Sequence, residues 1–327
     1  MHFEIRPLEV NGKSDQFRHW LRFIPQMEPI RVAVPRKGRP LEAVLDRVAR
    51  GGWEQPADDI ISTLRYEKSI TKGNRAAEEG VYDRLESYSS LSDPHAPEFT
   101  LMRDSRNGMP RRIVFDSVTV PFDDHEVQLV GREEPLRALR KHEFALGFDS
   151  ADLVLEEIVS LADEPLTGLE MVNDRIDPAD TDVRVVTGLG DTVYHALLAR
   201  PELLDRTDQT LDRSFVDTYE GKLCISPRYE RLVEAILGSR TVVDIEFTYP
   251  ETGVEEEAAI AETGLGVYIT VTGSTARDHG LVVGSKLFPS ETVLLSNRSE
   301  MNAATESVVD QLLTETETET AVPAINP

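Results

Sequence analysis

Apolar residues fall into short runs and helical stripes along most of the chain. Ile30-Arg31-Val32-Ala33-Val34-Pro35 is nearly continuous in hydrophobicity and reads as a buried strand. The loop Arg36-Lys37-Gly38-Arg39-Pro40 follows, and then Leu41, Val44, Leu45 and Val48 recur at helical spacing. Such a strand, loop and helix predict an α/β sheet. Further strands are expected over 112–115, 126–130, 144–148, 183–187, 194–198, 222–226 and 241–247, with helices over 134–141, 151–159 and 229–237. Towards the end come a helix over 255–262, a strand over 267–271, closing strands over 281–288 and 292–295, and an amphipathic helix over 301–313 through Val308, Val309, Leu312 and Leu313. This alternation predicts parallel or mixed sheets with helices on both faces.

Three stretches break the pattern. Residues 1–29 read as an extension of low information. Residues 51–110 are rich in turn signals such as Thr71-Lys72-Gly73-Asn74 and are expected to be a peripheral insertion with one short helix near 75–87. Residues 314–327 open with alternating Thr and Glu and are expected to be a disordered acidic tail.

Composition narrows the class. The 327 residues suffice for two domains, and no apolar run approaches the ~18 residues of a membrane span. The polar start does not resemble a secretory signal, so a cytoplasmic location is the expectation. A single cysteine, Cys224, excludes an internal disulfide. The net charge is −24, from 59 acidic and 35 basic residues, and only seven of the basic residues are lysines. Without a strong basic cluster, such a surface repels nucleic acid. Many carboxylates and few lysines also suit a high-salt cytoplasm, where screening relieves self-repulsion. The histidines show no metal-ligand spacing, so no protein-only metal site is expected.

The candidate chemistry lies after the strand over 267–271. In Thr272-Gly273-Ser274-Thr275, glycine allows close backbone approach to an anion, the hydroxyls add donors, and Arg277 offers a charge-assisted contact. By itself the pattern is more common as a plain turn. In context, Thr272 to Leu281 resembles the phosphoribosyl pyrophosphate (PRPP) loop of ATP phosphoribosyltransferase, the first enzyme of histidine biosynthesis. Other segments resemble that family in the same order: Arg31 to Arg39 its opening strand and Lys-Gly-Arg loop, Gly131 to Pro135 its Arg-Pro turn, Ala145 to Asp152 with Glu156 its Asp-Leu-Gly segment, Thr252 to Glu255 its Gly-Ser-Val-Glu, and Ser290 to Asn297 its last core strand.

The resemblance covers residues 30–50 and 111–313 and implies a two-lobed mixed-sheet core similar to type II periplasmic binding proteins. Lobe one would be 30–187 plus 282–313, and lobe two 188–281 with the PRPP loop. It implies transfer from PRPP to ATP, or another nucleotide, with Mg²⁺ on the substrate phosphates. Thr272, Gly273, Ser274, Thr275 and Arg277 would hold the 5′-phosphate. Lys37, Gly38 and Arg39 would face the pyrophosphate or ATP, Glu255 the ribose or Mg²⁺, with Asp149 and Asp152 as further candidates. Each of these side chains also fits a structural role as loop charge, cap or solvated surface. Only about fourteen residues follow Leu313, so a C-terminal regulatory domain is not expected. Short-form members of the family work instead with a separate regulatory subunit, and homo-oligomers are the implied assembly. An ungapped reading places Gly264 and Tyr268 where the family usually has acidic residues. That departure keeps a second reading open, a catalytically silent PRPP or nucleotide sensor of the same fold.

Overall fold

The structure is a computed structural model that describes residues 28–320 except 51, 52, 91, 92, 94, 104–110, 123, 124 and 205–209. The extension expected over 1–29 thus lies almost wholly outside the described residues, as do residues 321–327.

Two mixed sheets organise the chain. The first has seven strands, β1 (Ile30–Pro35), β2 (Glu98–Arg103), β3 (Arg111–Phe122), β4 (His125–Arg132), β5 (Leu146–Ser150), β6 (Val183–Gly188) and β12 (Thr292–Asn297), in the order β2-β3-β4-β1-β5-β12-β6. The second has five, β7 (Val193–Ala199), β8 (Gly221–Cys224), β9 (Ile245–Thr248), β10 (Leu265–Thr270) and β11 (Val282–Ser290), in the order β11-β7-β10-β8-β9. Hence the fold class is the expected mixed α/β one. β1 runs parallel to both β4 and β5, which explains its unbroken apolar run: Val32, Ala33 and Val34 are buried from both faces. The chain passes between the sheets twice, from β6 to β7 and from β11 to β12. β11 pairs antiparallel with β7, so residues 282–290 belong with the second sheet rather than with lobe one as expected.

Helices cover the sheets where apolar stripes allow. α1 (Arg39–Ala49) starts after Gly38, whose φ of 84° turns the chain sharply, and Pro40 suits its first turn because no amide is needed there. Its Leu41, Val44, Leu45 and Val48 join an apolar cluster on one face of the first sheet with α10 (Ala303–Thr320), which contributes Val308 and Leu312. α4 (Pro135–Arg140) and α5 (Ala151–Glu157) belong to a second cluster, which continues through Leu197, Leu223 and Leu265 to α7 (Glu230–Leu237). One apolar core therefore spans the junction of the two sheets. Three further helices are α6 (Arg213–Val216), α8 (Glu256–Thr263) and α9 (Ser274–Asp278). α10 continues to Thr320, so the acidic tail expected to be structureless from 314 is helical over its first seven residues.

Residues 51–110 are not peripheral. They form an 18-residue helix, α2 (Glu54–Thr71), then α3 (Val81–Tyr88) and the edge strand β2, which is paired antiparallel with β3. Ala57, Ile60, Ile61 and Leu64 of α2 are buried against the first sheet. The stripe was hard to read because its next buried member is an acid. Glu67 is 3% exposed and takes a two-point contact from Arg84, Nε to Oε1 at 2.8 Å and Nη2 to Oε2 at 3.1 Å. The Tyr88 hydroxyl donates to Glu67 Oε1 at 3.0 Å. Burial and then that hydrogen bond push the Tyr88 phenol up to about 12. This buried triad fastens α3 to α2. Removing one partner of such a pair leaves a charge unmatched, so Glu67→Ala is expected to lower stability by about 3–5 kcal/mol in urea unfolding.

Candidate functional site

In open α/β sheets, ligands collect beyond the carboxyl ends of parallel strands. The parallel neighbours β1, β4 and β5 end here at Pro35, Arg132 and Ser150, and the loops beyond them wall a cleft of about 300 Å³. The first lobe contributes Arg36, Lys37, Arg39, Arg132, Glu133, Asp149 and Asp152. Across the gap stand Arg228 and Tyr229, which follow β8, and Ile269 from the end of β10. Five cations thus line one cleft in a chain whose net charge is −24.

Each cation is held differently. Arg36 donates from Nε to the Gly131 carbonyl at 3.1 Å and pairs with Asp116 at 3.4 Å. The Arg132 guanidinium lies 4.9 Å from the Phe144 ring centroid, within cation–π range. Lys37 reaches 3.6 Å from the Met102 sulfur on β2. Arg228 is exposed and lies 5.7 Å from the Tyr229 ring centroid. Arg39 is committed elsewhere. It donates to the main-chain carbonyls of Asp191 and Ser290, the latter at 3.3 Å, and its Nη1 lies 3.4 Å from Asp191 Oδ2. These partners lie at the two crossings between the sheets, so Arg39 borders the cleft while its guanidinium fastens the crossings.

Three acids, Glu133, Asp149 and Asp152, also line the cleft, and the two aspartates are engaged. Asp149 is 4% exposed, and its oxygens accept the amides of Leu136 at 3.0 Å and Ser150 at 2.9 Å. It thereby caps α4, whose first residue is proline and lacks a donor. Burial outweighs those two hydrogen bonds and raises the Asp149 carboxyl from 3.8 to about 6. Asp152 opens α5. Its Oδ1 lies 3.0 Å from Nε2 of His195 on β7, both side chains being almost wholly buried, so the contact joins the lobes. The Tyr229 ring meets His195 edge-on at 5.8 Å between centroids.

The small-residue loop stands apart from the cleft lining. Ile269 reaches the cleft, but Thr272, Gly273, Ser274, Thr275 and Arg277 do not line it. Val271 and Thr272 are exposed, and so are Ser274 and Thr275. Gly273 has φ 69°, and a Cβ there would lie 2.6 Å from Val283 Cγ2, so glycine is required. Arg277 Nη1 donates to the Thr272 carbonyl at 2.9 Å, which folds the loop on itself. Glu255 is near, its Oε2 3.3 Å from His279 Nε2, also outside the cleft lining. Gly38 lines a neighbouring pocket instead. The expected site residues therefore form two groups: Lys37, Arg39, Asp149 and Asp152 in the cleft, and residues 272–277 with Glu255 beyond the end of β10.

At the two positions where the family usually has carboxylates, Gly264 closes α8 with φ 109°, and the Tyr268 hydroxyl feels Glu256. Burial, aided by Glu256 and Glu257, pushes that phenol up to about 12. A carboxylate thus stands beside position 268, supplied from α8. Sequence reading missed Arg36, Arg132, Arg228 and Tyr229 as site residues. Ser226-Pro227-Arg228-Tyr229 was legible as the exit of a strand into a helix, the position where α/β ligand sites form.

Two mixed sheets joined by two crossings, with a cleft lined by five cations and three acids at their junction, define a bilobal α/β protein. The chain belongs to the halobacterial ATP phosphoribosyltransferase family, whose sequence profile matches residues 26–324. Its function is accordingly of the ATP phosphoribosyltransferase kind, in histidine biosynthesis, and the resemblance seen in the sequence is borne out. No curated protein matches the sequence. Among solved structures, the chain is similar to the ATP phosphoribosyl transferase (HisG:HisZ) complex from Thermotoga maritima, at 15% identity and TM-score 0.42, over 89% of this chain and 99% of that one. YhfZ from Shigella flexneri is similar at 8% identity and TM-score 0.37, over 89% and 95% of the two chains. The regulatory domain of MetR, a LysR-family regulator from N. meningitidis, is similar at 14% identity and TM-score 0.33, over 60% and 83%. No described helix is long and apolar enough to cross a membrane.

The raised carboxyl of Asp149 makes a pH signature. Between 3.8 and about 6 the unfolded chain has released a proton that the folded chain keeps. This group's contribution to stability therefore falls as pH rises through that window and levels off above it. Asp149→Asn is expected to remove that fall, so urea unfolding over the window should show its stability gaining on wild type as pH rises.

Proposed function

We propose that the chain transfers a phosphoribosyl group from PRPP to N1 of the adenine of ATP, releasing pyrophosphate. The observation that carries this reading is the convergence of Arg36, Lys37, Arg39, Arg132 and Arg228 on one interlobe cleft in a strongly acidic chain. The C1′–pyrophosphate bond breaks as the N1–C1′ bond forms, and the ribose carbon gains oxocarbenium character. Catalysis then rests on alignment and on stabilising the departing charge. Lys37, Arg132 and Arg228 would take the pyrophosphate. Arg39 would contribute its field while holding the crossings. Thr272, Gly273, Ser274 and Thr275 would receive the 5′-phosphate where β10 leads out of the cleft, with Arg277 fixing the loop. Glu255 would face the ribose.

Among the described residues no three His, Cys, Asp or Glu side chains group to hold an ion. Mg²⁺ would therefore arrive on the substrate phosphates, as its preference for phosphate and water ligands allows, and neutralise the leaving group. The setting we propose is a high-salt cytoplasm. A separate regulatory subunit and self-association are the partners we propose, the solved structure from Thermotoga maritima being itself a HisG:HisZ complex.

A second reading has its own support. Gly264 and Tyr268 replace family carboxylates near the loop, which favours a sensor that binds PRPP without turnover. Calorimetric titration with PRPP, followed by a pyrophosphate-release assay with ATP and Mg²⁺, separates the two. Binding with release is expected, binding alone would favour the sensor, and no binding would overturn both. Arg228→Gln should weaken PRPP about 10- to 150-fold, the equivalent of one charged hydrogen bond at ~1.5–3 kcal/mol. Gly273→Val should weaken PRPP by at least about tenfold, because the left-handed turn costs a branched residue ~1–2 kcal/mol before its contact with Val283 is relieved. Unchanged affinity in Gly273→Val would remove the loop from the site.

A further inference from the structure

A second pocket lies on the other side of the Lys37 loop, walled by α2 and β3. Its volume is about 220 Å³. Leu64 and Ile113 form an apolar floor, and Lys37, Lys68, Lys72 and Arg112 surround it. Three of the seven lysines in the chain thus line one pocket. The two acids at its edge are already matched: Glu42 accepts from Arg65 at 2.7 Å, and Glu67 is held by Arg84. Lys68 and Lys72 form no ion pair among the described residues. Their i, i+4 spacing puts both ammonium groups on one side of α2. Cations at the C-terminal end of a helix are favourable in themselves, which accounts for these two lysines. Arg112 on a strand and Lys37 in a loop, each with contacts of its own, meet them over the apolar floor.

We infer that this pocket is an accessory anion site for a small phosphorylated molecule with an apolar face. Lysines and an arginine over hydrocarbon suit phosphate oxygens at one end and an apolar body at the other. The volume lies below the ~300–1,000 Å³ of pockets for larger ligands, which sets the size of the occupant. One wall is built by α2, within the residues that the family profile matches. Lys37 borders both this pocket and the cleft, so the two sites are neighbours across a single side chain.

The test is calorimetric titration of the full chain with inorganic pyrophosphate in high potassium chloride. The wild type is expected to bind two equivalents. Lys68→Gln/Lys72→Gln, confirmed folded by its unfolding curve, should bind one, and the cleft variant Arg132→Gln/Arg228→Gln should also bind one. If Lys68→Gln/Lys72→Gln keeps every equivalent bound by the wild type, or if the wild type binds none, the accessory site is overturned. If only the cleft variant leaves binding unchanged, the cleft assignment fails and the accessory site stands.

Discussion

The fold depends on holding two strand crossings side by side. Between β6 and β7, and between β11 and β12, the chain passes from one sheet to the other. The Leu189 amide donates to the Thr292 carbonyl at 2.8 Å, and the Thr292 amide returns a bond to Asp191 Oδ1 at 2.7 Å. Glu291 turns its carboxylate onto the Gly190 amide at 2.8 Å, and its carbonyl accepts the amide of Ala151, the first residue of α5. A Cβ on Gly188 would lie 2.5 Å from that carboxylate and would displace it. Arg39 then binds both crossings from α1. Exposed, each such bond would count for little; in this half-buried junction each unmatched group would carry its full desolvation cost. The junction therefore sets how the ends of β1, β4 and β5 face β8 and β10.

Electrostatics follow from that placement. An acidic surface suits solubility in concentrated salt but opposes binding of phosphates at long range. The cleft reverses the local sign with arginines held by a carbonyl, a carboxylate or an aromatic ring. Of its three acids, two have structural partners. Asp149 caps α4, and Asp152 meets His195 across the lobes. The same economy recurs in α2 and α3, where buried Glu67 is matched before it can repel an anion in the neighbouring pocket.

Much of this was legible one-dimensionally. The apolar run of β1, the stripe of α1, the strand before Thr272 and the order of family-like segments were all in the sequence, because burial on both faces or on one stripe leaves a period. Where a buried position is polar, the period fails. Glu67 interrupts the α2 stripe, and residues 51–110 read as a peripheral insertion with one short helix although they build a wall of the first lobe. The boundary near residue 282 was misread for a different reason: β11 looks like any closing strand, and only its register with β7 assigns it to the second sheet.

By itself, then, the sequence determined the family, the mixed α/β class, the anion-seeking residue types and the acidic surface, since these depend on composition, local order and period. Tertiary structure alone decided which charges converge. Lys37, Arg132 and Arg228 lie far apart along the chain and meet only because sheet order brings three strand ends and a facing loop together. It also separated Arg39, drawn to the crossings, from the loop at 272–275, which stands outside the cleft lining. Such convergence is a property of distances between segments, and no local pattern of residues encodes it.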